Sequence, residues 1–284
     1  MKRFAVLGTK PGWHCERTIA AFKRRGAEAE FVTVETLVAP LGLPEAKAPL
    51  AEYDGLLIRG IPGGSLEQVI YRMDALHVLE RGGLKCVNPP KTIEKTVDKF
   101  LTSALLEQAG LPVPPTICCE DRQAAQAAFF MLGEDVVYKP LFGSCGNGLL
   151  RLKNVGEAER AFGEIEEAGG VFYLQKFIPS GNSDIRAFVV GGHVIAAMRR
   201  TGSDWFANVS KGGRAQAYVL TAYEEELALA AAAVVQADVA GVDLLAAESE
   251  ETFVTEVNGC PGWQGLSSVT DADIPDEIVS LFFD

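Results

Sequence analysis

This chain has few histidines, no patterned cysteine, a deficit of positive charge and no long apolar run. Its six cysteines, Cys15, Cys86, Cys118, Cys119, Cys145 and Cys260, include no C-x-x-C pair and no regular spacing. That argues against a disulfide framework or a zinc site and for dispersed free thiols in a reducing compartment. The only histidines are His14, His77 and His193, and no Ser-His-Asp or Cys-His arrangement points to nucleophilic hydrolysis. Lysine and arginine number 26 against 38 acidic residues, a formal charge of −12. Surfaces that track nucleic-acid phosphates or anionic membranes need clustered positive charge, so neither partner is expected. No stretch approaches the ~18 apolar residues of a membrane span. Phe4 to Leu7 is too short for a signal-peptide core, and the expected location is cytoplasmic.

What is present suits a folded protein of more than one lobe: 284 residues, 48% of them hydrophobic and 23% charged, against the ~150 residues of one usual domain. Short strand-like runs at Phe4 to Leu7, Phe31 to Val34 and Gly55 to Gly60 alternate with helical spacing over Cys15 to Arg25 and Ser65 to Leu79, with Ser65 a plausible N-cap. Strands alternating with helices imply a parallel sheet whose ligand edge is the carboxyl ends of its strands. Asn88-Pro89-Pro90 reads as a boundary, followed by one helix over 91–109. Strands then fall near 116–119, 136–139, 148–152 and 171–177, with a helix over 121–132. SDIRAFVVGGHVIAAMRR reads as a hairpin turning at Gly191-Gly192, an alanine-rich helix covers 223–239, and GVDLL and TFVTEVN form a second hairpin. The expected segments are 1–90, 91–178 and 179–284.

Two features carry chemistry. Gly143-Ser144-Cys145-Gly146-Asn147-Gly148 follows Lys139 and lies between two strands. Such a turn lets backbone N–H groups converge on phosphate oxygens, although it is neither a Walker A loop nor a dinucleotide fingerprint and by itself is a weak signal. The second hairpin is more specific. If its turn centres between Ser249 and Glu250, Asp243 lies opposite Glu256, and the period of two puts Asn258 on the same face. Val242, Leu244, Thr255 and Val257 then face the core. Two carboxylates and an amide oxygen are hard ligands suited to Mg²⁺ held jointly with nucleotide phosphates. Facing carboxylates also repel unless a cation lies between them.

From about Asn88 to Leu266 the chain resembles the ATP-grasp superfamily, specifically its RimK-type amino-acid ligases. The resemblance is carried by VDKFLTSALLEQAGLPVP, VVYKPLFGSCGNGL, YLQKFI, SDIRAFVVGGHVIAAMRR, ADVAGVDLL and TEVNGCPGWQGL, in that order. It implies an α/β (α+β) fold: a Rossmann-like preATP-grasp domain, then two lobes sandwiching ATP. It further implies that Lys99 and Lys139 contact ATP phosphates. Gly143, Ser144, Gly146 and Gly148 would belong to a loop closing over them, Gln175, Lys176 and Ile178 to the adenine hinge, and Asp184 would lie near the ribose. Asp243, Glu256 and Asn258 match metal ligands. Arg186 and Arg199 or Arg200 match basic positions around the reacting carboxylate, Asn208 an asparagine near phosphate and metal, and Lys211 a basic position after it. Arg59, ending the third strand, is a candidate acceptor contact. The chain departs from the glutamate-adding pattern at Phe206, where an arginine is usual, and at Cys260, where serine or threonine is commoner.

The implied activity is an ATP- and Mg²⁺-dependent carboxylate–amine ligase working through an acyl phosphate, with Mn²⁺ as an alternative metal. Glutamate is the expected amino acid, and a small molecule or a coenzyme such as a one-carbon carrier the expected acceptor. Modification of a protein C-terminus or carrier protein is the alternative. A non-catalytic ATP-binding regulator and a kinase-like transfer are readings of other kinds. Homo-oligomerisation is left open.

Overall fold

The computed structural model describes residues 1–43, 48–143, 147–202, 205 and 213–283. Of the residues singled out above, Ser144, Cys145, Gly146, Phe206, Asn208 and Lys211 lie outside the described set. The first segment comprises β1 (Arg3–Gly8), α1 (Trp13–Arg24), β2 (Glu28–Thr33), β3 (Gly55–Ile58), α2 (Leu66–Arg81) and β4 (Lys85–Val87). Its strands form a parallel sheet in the order β2-β1-β3-β4. β1 and β3 read as unbroken apolar runs because both faces of a central parallel strand are covered, and Phe4 to Leu7 and Leu56 to Ile58 are all buried. The Ser65 hydroxyl accepts from Gln68 N and the Gln68 side chain from Ser65 N, a capping box that starts α2.

Next come α3 (Pro90–Val97), α4 (Lys99–Gln108), β5 (Thr116–Cys119), α5 (Arg122–Met131), β6 (Val136–Lys139), β7 (Leu150–Leu152), α6 (Val155–Glu167) and β8 (Phe172–Lys176). The last segment adds β9 (Ser183–Val190), β10 (His193–Thr201), β11 (Arg214–Ala217), α7 (Ala222–Val235), β12 (Val239–Ala246), β13 (Thr252–Asn258), α8 (Gln264–Ser267) and α9 (Ile274–Ser280). They build two antiparallel sheets, β5-β8-β6-β7 and β11-β10-β9-β12-β13.

Three local expectations change. The single helix over 91–109 is two: Asp98 leaves helical geometry, and its carboxylate caps α4 by accepting from Leu101 N at 3.0 Å. Pro90 opens α3 at its first position, where a missing N–H is harmless. The alanine-rich helix stops at Val235 because Gln236 turns left-handed at φ 61°. The sequence reading also passed over α6, which Asn154 caps and whose Ala158, Ala161, Phe162 and Ile165 are buried.

Packing redraws the segments. Leu106 of α4 is buried with Ile185, Leu227, Val242 and Val257, and Thr92 Oγ1 donates to Gln236 O at 2.7 Å at the end of α7. Helices α3 and α4 therefore pack with the last segment, leaving β5 to β8 with α5 and α6 as the middle lobe around Phe129, Phe162 and Phe172. The first and last segments share a core of Phe4, Phe22, Phe188, Trp263, Ile278 and Phe282. Buried Asn88 stitches them further, donating to Val239 O at 2.7 Å and Gly259 O at 2.6 Å and accepting from Val239 N at 2.8 Å.

Candidate functional site

The five-stranded sheet has two unlike faces. Ile185, Ala187, Val189, Val242 and Leu244 point to α7. Strand alternation sends Asp184, Arg186, Arg200 and Asp243 the other way, into a cavity of about 780 Å³ that the middle lobe closes with Val137, Lys139 and Gln175 to Ile178.

One wall is an ionic network. Arg186 donates Nε and Nη2 to the two carboxylate oxygens of Asp243, each at 2.6 Å. Arg200 donates Nε and Nη2 to Asp184 at 2.6 and 2.7 Å, and its Nη2 lies 2.8 Å from Asp243 Oδ2. Such paired N–H···O bonds are the strong, geometrically selective form of the ion pair. Burial alone would raise the Asp243 pKa, but the two guanidiniums reverse that and hold it at about 2. Asp184, with only Arg200 at contact distance and Asp243 nearby, is pushed by burial up to about 6. Pro261 can pack against the sheet beside Arg186 because residue 241 is glycine: a Cβ there would sit 2.9 Å from Pro261 Cβ.

Two charges of the cavity, one from each lobe, have no partner among the described residues. Lys139, at the end of β6, is set deep in the cavity and has no hydrogen-bond or ion-pair partner among the described residues. Burial lowers its pKa, and the charge of Glu256 opposes that. The Glu256 carboxylate likewise has no partner among the described residues. Lys99 Nζ donates to Gly143 O at 2.8 Å, tying α4 to the start of the glycine-rich loop. Burial lowers its pKa too. Gly148 adopts φ 75° with Pro140 against it, and a Cβ there would lie 2.7 Å from Pro140 Cγ.

Asp243 and Glu256 are direct cross-strand partners, and Asn258 faces Gly241 two residues on. Asp243 is engaged by two arginines, the Asn258 side-chain oxygen accepts from Cys260 N at 2.9 Å, and Glu256 is free to accept a cation. Among the described residues no group of three or more His, Cys, Asp or Glu is placed to hold a metal. Two carboxylates with one amide still fit a hard cation shared with a phosphate ligand, and the uncompensated Glu256 is the observation that favours one.

The middle-lobe rim is rigid. Gln175 is buried and donates to Thr116 Oγ1 at 3.0 Å, Lys176 N donates to Pro115 O at 2.8 Å, and Phe177 N to Asp135 O at 2.9 Å. The Arg151 guanidinium lies 3.3 Å from the Phe177 ring centroid and pairs with Asp135 at 2.8 and 2.7 Å. Ile178 and the exposed Lys176 then line the opening.

Two residues named from sequence sit elsewhere. Arg199 faces away from the cavity, over the Tyr218 ring at 4.5 Å. Arg59 lies beyond the far end, over Trp263 at 4.4 Å. Thr255 and His14 are among the cavity residues that were missed. Thr255 was assigned to the core but sits at the irregularity between Asp243 and Leu244 and lines the cavity, while Val254 takes the core position. His14, in the first turn of α1, accepts from Trp263 N at 3.1 Å through Nε2. Burial, then the charge of Arg59, lowers its pKa to about 4. A lone histidine at a helix start carries no signal that could have found it.

Comparison with known proteins agrees with this geometry. The RimK-like ATP-grasp domain matches residues 96–282. The tetrahydromethanopterin:alpha-L-glutamate ligase of Methanosarcina acetivorans is 32% identical, with 94% of this chain and 94% of the relative covered. That of Methanocaldococcus jannaschii is 38% identical, over 82% of this chain and 80% of the relative. Among solved structures, the ATP-grasp ligase PsnB complexed with minimal precursor, Mg and ADP superposes with TM-score 0.75 at 20% identity, covering 99% of this chain and 97% of that one. The chain belongs to the RimK-like ATP-grasp family and is an ADP-forming ligase that makes a carbon–nitrogen bond.

Proposed function

We propose that the protein adds glutamate, through its amine, to a carboxylate of a small-molecule or coenzyme acceptor of the one-carbon-carrier class. The observation that carries the reading is the meeting of Lys139 and Glu256, without partners among the described residues, in one cavity where Asp184, Arg186, Arg200 and Asp243 are matched to one another. The relatives named above support the choice of glutamate and acceptor.

In this reading ATP lies between the middle lobe and the five-stranded sheet. Lys139 and Lys99 neutralise phosphate charge, and the rigid rim from Gln175 to Ile178 receives the base. Asp243, Glu256 and Asn258 would hold Mg²⁺, with Mn²⁺ able to replace it on the same hard oxygens. The ion would offset charge on the phosphoryl oxygens during transfer. The acceptor carboxylate attacks the γ-phosphorus and ADP leaves. The glutamate amine then attacks the acyl carbon, phosphate departs with the bonding pair, and the nitrogen loses a proton. Arg186 and Arg200 border the place where that carboxylate must sit. The surrounding protein excludes water that would otherwise hydrolyse the acyl phosphate.

The test is ADP release with Mg²⁺ across a panel of amino acids and acceptors, with product mass spectrometry. A product heavier by one glutamyl residue is expected. Turnover with another amino acid, or only with a protein acceptor, replaces the substrate assignment.

A further inference from the structure

The N-terminal sheet reverses its strand order between β1 and β3. Ligands of open parallel sheets bind outside the carboxyl ends of the strands at such a switch point. Arg59 stands there, immediately after β3, its backbone N donating to Leu7 O at 2.8 Å. The guanidinium lies over Trp263, 4.4 Å from the ring centroid, and Nη2 donates to Pro261 O at 2.7 Å. Its Nε is buried without an acceptor among the described residues, and so is Nε1 of Trp263 beneath it.

Arg186 and Arg200, the arginines that line the main cavity, are each matched by a carboxylate through two N–H groups. Arg59 has no carboxylate within ion-pair distance among the described residues, although acidic side chains outnumber basic ones 38 to 26. The groups around it cannot supply one. His14 uses Nε2 to accept the Trp263 N–H and is therefore neutral there, Cys260 Sγ donates to Ile58 O, and Cys15 is a buried thiol. Two stacked side chains with orphaned, buried donors call for an acceptor-rich ligand, because an unmatched buried donor or charge is costly. Gly12 gives α1 no side-chain cap on the same rim. His14 and Cys260 line the main cavity and bond to Trp263 N and Ile58 O, which places Arg59 beside that cavity.

We propose that the crevice between β1 and β3 is a carboxylate-binding subsite in which Arg59 holds a carboxylate of the non-nucleotide substrate, one that is not activated in the reaction. The inference rests on the ligase reading above. Glutamate and a carboxylate-bearing acceptor share the required chemistry, and the experiment separates them.

Steady-state kinetics of wild type, Arg59→Lys and Arg59→Met are measured with each substrate varied in turn, alongside titration of ADP with Mg²⁺. Removing one partner of a buried charge pair costs about 2–5 kcal/mol, so Arg59→Met should raise KM for one substrate by about 30-fold or more. Its kcat and ADP affinity should stay near wild type, and Lys should recover part of the loss. A shift in KM for glutamate assigns the carboxylate to the amino acid; a shift for the acceptor assigns it there. KM values for both within about twofold of wild type overturn the proposal. If Arg59→Met loses ADP binding, the wild-type protein decides: the amide analogue of the recognised carboxylate must bind as weakly as the variant binds the acid, and equal binding of acid and amide overturns the subsite. If no glutamate-dependent turnover exists, the comparison is made as protection from thermal unfolding by L-glutamate and succinate. Protection lost in Arg59→Met keeps the subsite and discards the glutamate reading, whereas equal behaviour of the two proteins removes the subsite.

Discussion

Two sets of charged residues in the cavity are in opposite electrostatic states. On the sheet, Asp184, Arg200, Asp243 and Arg186 satisfy one another through short paired hydrogen bonds. Glu256, beside Asp243 on β13, and Lys139 across the cavity at the end of β6 carry charge with no partner among the described residues. A matched buried network contributes to the uniqueness of the fold and is expensive to break from one side. An unmatched charge destabilises the empty protein and becomes favourable only when a ligand of opposite sign arrives. The comparison separates residues that hold the site from residues that bind in it, though chemically they are alike.

The largest effect should come from breaking the matched network. Arg200→Met leaves Asp184 and shared Asp243 short of a cation and should lower stability by about 3–5 kcal/mol, read from urea unfolding. A loss below about 1 kcal/mol would mean that the network does not brace the sheet. The unmatched charges should behave oppositely. Lys139→Met should leave unfolding midpoints unchanged or raised, while ADP affinity falls by about 10- to 100-fold, the worth of a hydrogen bond to a charged group. Glu256→Gln should likewise fold normally but lose the Mg²⁺ dependence of ADP binding. If either variant is as unstable as Arg200→Met, the distinction between matched and unmatched charges fails. The smallest effect concerns His14, whose pKa falls from 6.5 to about 4 on folding. The unfolded chain takes up a proton in that window that the folded chain refuses. Stability is therefore full above 6.5 and declines as pH falls to about 4, by about 1–2 kcal/mol after allowance for partial exposure. His14→Gln, which can still accept the Trp263 N–H, should flatten that slope.

Much of the scaffold was legible because its signals are local. Strands 116–119 and 136–139, the Ser65 cap and the glycine turn at 191–192 follow from side-chain period, capping chemistry and positive φ. The pairing of Asp243 with Glu256 was also read correctly, but through two offsetting differences. The turn is centred on Ser249, so Leu244 pairs with Val254, and the extra residue Thr255 restores the expected partner. The first hairpin hid a similar irregularity. From a turn at Gly191-Gly192 an unbroken ladder would set Arg199 against Asp184. The register shift between Val194 and Ala196 sets Arg200 there instead and turns Arg199 to the Tyr218 side.

By itself the sequence determined most of the strands and the types of side chain that reach the cavity, because backbone preference and apolar period act over a few residues. Tertiary structure alone decided how the segments group into lobes, which charges are matched and which are left open, that Arg59 is half-buried with no carboxylate beside it among the described residues, and that His14 joins the site. Those outcomes depend on distances between elements far apart in the chain, and a bulge of one residue is enough to reverse the face on which a side chain lies.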